Sequence, residues 1–264
     1  MRVTGYTNAY NNDVLALLSS SFGMTREESR ILLDDALRNG KCMLGAVEHK
    51  TVSVALCKDV TLRFGGKDRK GVYVFGLCTA EEHRGAGFAS NLLGVICDNS
   101  DAQYAVLIPE NDDLFFFYEK LGFLPNGYGA SLTVKAAGKT PVMVVDSLSV
   151  AYAAYRHAAE TCGDICLLSE SDLAASLSLS RQTCVTGENG VCFVGDRVET
   201  LAPPGEALDL SASALHLVGI PQTTVITPLS SAPVGAKALP LGMIKALRGA
   251  TPPERFYINN LFNL

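Results

Sequence analysis

The stretch from residue 72 to residue 96 constrains the fold of this chain more than any other. Residues 72–79 are rich in β-branched and aromatic side chains and are short enough for a buried strand. Two glycines follow, at positions 85 and 87, and from Phe88 onwards apolar residues recur at helical spacing. The pattern predicts a strand that enters a glycine-bearing turn, and a helix that begins at that turn.

A turn of this kind attracts anions. The first N–H groups of a helix have no acceptor inside the helix, and they bind phosphate readily. Gly85 and Gly87 have no Cβ, so a ligand can approach the main chain closely, and Arg84 adds a fixed positive charge. The sequence therefore predicts an anion cradle, and a pyrophosphate is the anion that we expect there.

Two common nucleotide-binding motifs match this region poorly. The dinucleotide motif Gly-x-Gly-x-x-Gly needs a third glycine where this chain has Ser90, and no acidic strand end follows about 20 residues later. A phosphate-binding loop of the Gly-Lys-Ser/Thr type fails as well, because Gly66 and Lys67 are followed by Asp68. The cradle therefore belongs to another class of anion site.

A different family matches better. The run Arg-x-x-Gly-x-Ala at residues 84–89 resembles the (Arg/Gln)-x-x-Gly-x-(Gly/Ala) signature of the GNAT N-acetyltransferase superfamily. The resemblance continues downstream, where strand-like residues 104–108 lead to Asn111 and then to Tyr-Glu-Lys-Leu-Gly-Phe at residues 118–123. Two separate blocks in the right order make the resemblance specific, and it covers roughly residues 1–135.

The resemblance implies an α/β (α+β) protein with the GNAT fold, in which helices flank a mixed, mostly antiparallel central sheet. We place the acetyl-CoA-binding catalytic domain at residues 1–137, because Gly and Pro cluster and apolar periodicity lapses over residues 136–141. A smaller α/β domain follows at residues 138–264, and its helix and hairpin echo the first domain, so a degenerate GNAT-like repeat is one interpretation. No second Arg-x-x-Gly-x-Gly/Ala occurs there, and we expect that domain not to bind acetyl-CoA.

The resemblance also implies the reaction, which is transfer of an acetyl group from acetyl-CoA, as acyl-donor cosubstrate, directly to a primary amine. Such transfer needs a bound diphosphate, an extended pantetheine arm and a proton for the leaving thiolate. Tyr118 is the implied general acid, because a hydroxyl with a reference pKa of about 10 is protonated at neutral pH. The implied cofactor-binding residues are Leu77, Cys78, Thr79, Arg84, Gly85, Ala86, Gly87, Phe88, Ala89, Ser90 and Asn111.

The general base is not evident from the sequence. Residues 72–79 contain no carboxylate, so the base is water-mediated, or is the C-terminal carboxylate of the chain, or is absent. A covalent route through Cys78 is disfavoured, because direct transfer needs no protein nucleophile. The missing base keeps a second hypothesis open, a non-catalytic acyl-CoA-binding sensor or interaction module. Nearby carboxylates that we expect to be solvated loop charges are Glu81, Glu82, Glu110 and Asp112.

Composition argues against several other classes of protein. With 48% hydrophobic and 19% charged residues, the composition is that of a globular protein. A net charge of -5 and the lack of a long Lys/Arg run argue against a basic surface that binds nucleic acid. No signal-peptide core or membrane-length apolar run is present, so we expect a cytoplasmic protein with no membrane partner. Cysteines and histidines lack ligand spacing, so we expect no metal. The expected partner is a small-molecule or peptide amine, and a homodimer is one further option.

Local patterns predict the remaining elements. In the first domain they indicate two helices, one from residue 12 or 13 and one that begins at a capping box of Thr25 and Glu28 and ends at Gly40. They also indicate a hairpin of residues 42–47 and 52–62, a basic hairpin loop at residues 63–71, and an edge strand at residues 130–135. In the second domain they indicate a helix from residue 146 or 147 to about residue 160, and further helices at residues 170–179 and 242–247. They also indicate a strand at 165–168, an Asn-Gly hairpin at 183–194, strand-like segments within 215–227, and a packed apolar tail at 256–264.

Overall fold

The computed structural model describes residues 2–179 and 181–258. The helices in these ranges are α1 (Asn11–Phe22), α2 (Arg26–Asn39), α3 (Phe88–Asn99), α4 (Asp112–Glu119), α5 (Leu148–Ala159), α6 (Glu170–Leu179) and α7 (Ala207–Val218). The strands are β1 (Arg2–Gly5), β2 (Gly40–Val47), β3 (Lys50–Phe64), β4 (Lys67–Thr79), β5 (Tyr104–Leu107), β6 (Leu124–Lys135), β7 (Met143–Val145), β8 (Ile165–Leu167), β9 (Thr183–Thr186), β10 (Val191–Val194), β11 (Val198–Leu201), β12 (Gln222–Thr227), β13 (Ala238–Ala246) and β14 (Tyr257–Ile258).

These strands form one mixed sheet, in the order β1-β2-β3-β4-β5-β13-β6-β12-β11-β10-β9-β7, and β8 joins it at β3. Most neighbours are antiparallel, whereas β4 with β5, β11 with β12 and β8 with β14 are parallel. Helices flank the sheet: α3 packs on β2, β3 and β4, and α7 packs on β10, β11 and β12. The fold class predicted from the sequence, a mixed and mostly antiparallel sheet flanked by helices, is therefore confirmed.

The strand order repeats itself around the centre of the sheet. We call residues 2–137 the first half and residues 138–258 the second half. Strands β1 to β5 of the first half take the places that β7, β9, β10, β11 and β12 take in the second. Each half also gives one strand to the other, because β13 pairs with both β5 and β6, and β6 pairs with β12. The degenerate GNAT-like second half stays an interpretation, and the sheet runs across the predicted boundary at residues 137 and 138.

A buried charge cluster also joins the halves. The Nζ atom of Lys58 on β3 lies 2.8 Å from a carboxylate oxygen of Asp35 on α2 and 2.5 Å from one of Asp172 on α6. All three side chains are at most 4% exposed, and the Lys58 ammonium lies 5.1 Å from the centre of the Phe75 ring. Two buried carboxylates thus share one buried cation, and the cluster couples α2 of the first half to α6 of the second.

Several local predictions are confirmed. The capping box forms at the start of α2, where the N–H of Glu28 donates to Thr25 Oγ1 at 3.2 Å and the N–H of Thr25 donates to Glu28 Oε2 at 2.7 Å. The Asn-Gly hairpin forms as β9 and β10, and the helix predicted at residues 170–179 is α6. These elements carry their signals within a few residues, so local patterns were sufficient to find them.

The predicted basic hairpin loop at residues 63–71 is wrong. Strands β3 and β4 extend through it and leave only Gly65 and Gly66 as the turn, with φ of +56° and +72°. One charged pair crosses the ladder, because the Nε atom of Arg63 lies 2.7 Å from Asp68 Oδ1. Charged residues on a solvated ribbon look like a loop in the sequence, because apolar periodicity is absent in both.

Predictions near the centre of the sheet are wrong as well. Residues 130–135 are no edge strand but part of β6, which lies between β13 and β12. Residues 242–246 belong to strand β13 and not to a helix, and residues 215–218 lie in helix α7 and not in a strand. For β6 and β13 the deciding partners belong to the other half of the chain, and no local pattern records them.

The apolar tail packs as far as the structure describes it. Phe256, Tyr257 and Ile258 are buried, and β14 pairs with β8. Residues 259–264, with the C-terminal carboxylate that is a candidate base, lie outside the described residues. Within the described ranges, none of the helices has the length and apolar character needed to cross a membrane.

Candidate functional site

A cleft with a volume of about 470 Å³ opens between the end of β4, the start of α3, helix α4 and the end of α1. Of the residues predicted as site residues, Ala86 and Asn111 are not in its lining. The predicted residues that do line it are Leu77, Cys78, Thr79, Arg84, Gly85, Gly87, Phe88, Ala89, Ser90 and Tyr118. Two sequence blocks predicted separately therefore meet in one place.

The lining also contains residues that the sequence did not predict. Helix α1 contributes Ser21 and Phe22, and no motif marks them, because their position depends on how α1 packs on the sheet. The other lining residues are His83, Glu110, Leu114 and Phe117. Leu114 was within reach of a sequence argument, since it lies four residues before Tyr118 on α4 and residues at that spacing share one face of a helix.

The end of β4 forms one wall of the cleft. Its ladder with β5 ends at the pair Tyr73 and Val106, although β4 continues to Thr79. At Gly76, which has φ of +54°, the register with β3 slips, and an ideal Cβ there would lie 3.0 Å from a Leu56 methyl group. Beyond this bulge the side of β4 that faced β5 is free of the β5 ladder, so an extended ligand that carries amides can bind there as a strand does.

The glycine-bearing turn forms the second wall. Gly85 and Gly87 have φ of +77° and +80°, and a Cβ at either would meet nothing within 4 Å, so glycine is needed for the backbone conformation. Gly87 is the N-cap residue of α3, and no side chain of the described residues caps this helix start. The first bond of the helix is from the N–H of Asn91 to the carbonyl of Gly87, at 3.0 Å. The earlier N–H groups of α3 therefore remain available to an anion, beside the exposed Arg84.

Tyr118 lies on α4 and is only 8% exposed. The rings of Phe117 and Phe123 pack edge-on against it, with centroids 5.0 and 5.9 Å away. Burial raises the pKa of the Tyr118 hydroxyl to about 12. The group is thus protonated at neutral pH and can donate a proton or a hydrogen bond, but it cannot serve as a base.

Asn111 positions this helix. It is the N-cap residue of α4, and its Oδ1 atom accepts a hydrogen bond from the N–H of Leu114 at 3.1 Å. The side chain thereby satisfies one of the free N–H groups at the helix start. Its predicted place beside the pantetheine stays a prediction, while its role in starting the Tyr118 helix is visible.

Cys78 is unsuited to nucleophilic attack. Its side chain is 8% exposed and belongs to the core that also contains Leu18 and Leu33. Burial raises the pKa of the thiol to about 11, and only a thiolate is an effective nucleophile. This environment favours direct transfer over an acetyl-cysteine route.

Carboxylates are sparse in the cleft. Of the four that the sequence placed nearby, Glu110 lines the cleft, whereas Glu81, Glu82 and Asp112 are exposed outside it. The described residues contain no group of three or more His, Cys, Asp or Glu side chains that could hold a metal ion. The titratable side chains of the described lining are therefore Cys78, His83, Arg84, Glu110 and Tyr118, with Glu110 as the single carboxylate among them.

Comparison with known proteins agrees with this geometry. A family model described as an acetyltransferase (GNAT) domain matches residues 2–125. No curated protein has a significantly similar sequence.

Three solved structures share the fold over most of the chain. A GCN5-related N-acetyltransferase from Kribbella flavida is 19% identical with a TM-score of 0.70, and the match covers 93% of this chain and 71% of that one. A probable N-acyltransferase from Enterococcus faecalis is 14% identical, with a TM-score of 0.74 and coverage of 93% and 72%. A GCN5-related N-acetyltransferase from Anabaena variabilis is 15% identical, with a TM-score of 0.71 and coverage of 92% and 72%. Residues 2–125 are thus a GNAT acetyltransferase domain.

Proposed function

We propose that this protein is an N-acetyltransferase that moves the acetyl group of acetyl-CoA directly to a primary amine of a small-molecule or peptide acceptor. One observation carries the proposal. A single cleft collects a helix start without a side-chain cap, a strand end released from its neighbour, and a buried tyrosine that stays protonated. These are the three features that acyl transfer from a CoA thioester needs, namely an anion site, a pantetheine track and a proton donor.

In this proposal the cofactor lies along two walls of the cleft. The N–H groups of residues 85–90 bind the diphosphate, and Arg84 neutralises part of its charge. Main-chain groups of Leu77, Cys78 and Thr79 hold the pantetheine amides in the way one strand holds the next. The N–H of Cys78 is the candidate donor to the acetyl oxygen as negative charge develops on it.

The chemical step needs no covalent enzyme intermediate. The amine nitrogen attacks the thioester carbonyl carbon, a C–N bond forms, and the C–S bond then breaks. Tyr118 donates to the sulfur as it leaves, because its hydroxyl remains protonated at neutral pH. The amine loses a proton to water or to a base, and Glu110 is the first residue to test for that role because it lines the cleft.

Binding of the cofactor can be tested by thermal unfolding with and without acetyl-CoA. At a hundred times its dissociation constant the ligand stabilises the native state by about 2.7 kcal/mol, which raises the melting temperature by about 5–11 °C for a protein of this size. Gly87→Glu places a bulky anion in the cradle and removes the shift. Gly205→Glu is the matched control, because Gly205 also has positive φ, at +85°, and an ideal Cβ there also meets nothing within 4 Å. A shift that survives Gly87→Glu as well as Gly205→Glu would place acetyl-CoA elsewhere.

Catalysis is tested by release of CoA in the presence of a panel of amines. Tyr118→Phe keeps the thermal shift and lowers kcat by at least about 100-fold, the usual contribution of a general acid. The central strand, residues 72–79, has no carboxylate, and this favours one competing function, a non-catalytic acyl-CoA-binding module. A wild-type protein that binds acetyl-CoA but acetylates no amine of the panel would support that competing function.

A further inference from the structure

Strand β13 of the second half contacts the helix that carries Tyr118. The Nζ atom of Lys245 on β13 donates to the main-chain carbonyl of Leu121, just beyond the end of α4, at 2.8 Å. The same ammonium lies 5.9 Å from the centre of the Phe123 ring. A cation at this place is favourable, because the last carbonyls of a helix lack N–H donors within the helix and carry partial negative charge.

The turn that Lys245 holds is bonded directly to Tyr118. The N–H groups of Leu121 and Phe123 both donate to the carbonyl of Tyr118, at 2.9 and 3.1 Å. The Phe123 ring, which faces the Lys245 ammonium, packs edge-on against the Tyr118 ring at 5.9 Å. Met243 of β13 is fully buried in the core that contains Tyr118 and Phe123. Lys245 therefore reaches Tyr118 through the main chain and through one aromatic ring.

We infer that Lys245 is a positioning residue for the acyl transfer, by which the second half holds Tyr118 against the cleft. The inference rests on the proposed function and deepens it, since it assigns the second half a part in the reaction of the first. Lys245 does not line the cleft, so it acts on the acyl group through Tyr118 alone. It follows that removing its charge lowers kcat only while Tyr118 is present.

Steady-state kinetics of the full chain test the coupling. Lys245→Met lowers kcat by about tenfold and changes the acetyl-CoA dissociation constant by less than about twofold, while Lys245→Arg retains most of the rate. In the Tyr118→Phe background the same Lys245→Met change alters kcat by less than about twofold, because residues that act as one unit are not additive. Lys135→Met is the control, since Lys135 is an exposed lysine of β6 away from the cleft, and it leaves kcat unchanged. An equal loss from Lys245→Met in both backgrounds would overturn the inference.

Amide hydrogen exchange tests the contact without any turnover. In Lys245→Met the amides of residues 121–123 exchange at least about tenfold faster than in wild type, and Lys245→Arg restores their protection. Arg248→Met is the matched variant from the same segment. Its side chain donates instead to the carbonyl of Ser100 at the end of α3, at 3.0 Å from Nε, so its effect falls on α3 and not on α4.

The two failures are distinguishable. Unchanged exchange at residues 121–123 in Lys245→Met means that Lys245 does not hold this turn, and it overturns the inference even if the protein is an acetyltransferase. A wild-type protein that transfers acetyl to no amine refutes the proposed function, and with it the catalytic part of this inference, whatever the exchange data show.

Discussion

The two turns that lead into α3 and α7 occupy equivalent places in the two halves, yet their chemistry is opposite. Before α3 stand Arg84 and two glycines with positive φ, Gly85 and Gly87, so the turn offers N–H groups and positive charge. Before α7 stand two prolines, at residues 203 and 204, which have no N–H, and Glu206 is the N-cap residue with a negative side chain. The same backbone frame thus favours an anion by its charge and free N–H groups in one half and disfavours one in the other.

The strands that precede these turns also differ, in how far each extends beyond its last pair with the neighbouring parallel strand. In the first half β4 continues from Tyr73, its last pair with β5, to Thr79. In the second half β11 ends at Leu201, two residues after Glu199, its last pair with β12. A free strand edge long enough for pantetheine therefore exists only in the first half, among the described residues. The two halves share the strand order of the sheet, while the groove and the cradle depend on a few residues at one end of one strand.

The largest expected effect comes from separating the two halves. A chain that ends at residue 137 lacks β13 and α6, so β5 and β6 lose the strand between them and Lys58 loses Asp172. We expect this fragment to be insoluble or unfolded, because bare edges of a sheet aggregate and the exchanged strand cannot be replaced locally. Circular dichroism and gel filtration of the fragment check this. A folded, monomeric fragment would show that the first half is an independent domain, as the boundary predicted from the sequence requires.

The next effect comes from the charge cluster between the halves. Lys58→Met leaves Asp35 and Asp172 buried without their shared cation, and we expect the free energy of unfolding to fall by about 3–5 kcal/mol. Lys70→Met removes the cation of an exposed pair with Asp101, whose side chains are 75% and 76% exposed, and should leave stability nearly unchanged. Urea unfolding measures both. Equal effects of the two substitutions would mean that the buried cluster does not couple the halves.

A smaller effect, on the dissociation constant of acetyl-CoA, tests the charge difference between the two turns. Arg84→Met should weaken acetyl-CoA binding by about tenfold, because a charge-assisted contact to the diphosphate is lost. Glu206→Gln removes the charge at the equivalent turn of the second half and should leave the dissociation constant unchanged. Isothermal titration calorimetry at low and high salt measures both, and the loss in Arg84→Met should shrink at high salt. A tenfold gain in Glu206→Gln would instead indicate a second CoA site.

These contrasts also show what the sequence could and could not predict. The cradle, the strand before it and Tyr118 were predictable, because each has its signal in a few adjacent residues. The exchange of β6 and β13 was not, because every partner of these strands lies in the other half of the chain. Lys245 was invisible for the same reason, since it is separated from Leu121 by more than a hundred residues. Residues that form the site can thus be found from short motifs, whereas residues from the other half that support the site cannot.

The last prediction concerns pH and has the smallest expected signal. Burial raises the pKa of Tyr118 from 10.0 to about 12, so its hydroxyl keeps its proton up to about pH 11. The ratio of kcat between wild type and Tyr118→Phe should therefore stay constant from pH 7 to pH 10, and it should fall only as the pH approaches 12. The sign follows from the role, because ionisation removes the donor and makes the wild type resemble the variant. Steady-state rates at saturating acetyl-CoA measure this ratio. A ratio that declines with a midpoint below about pH 10 would contradict this prediction. It would mean that the Tyr118 hydroxyl is more exposed to water than its packing against Phe117 and Phe123 indicates.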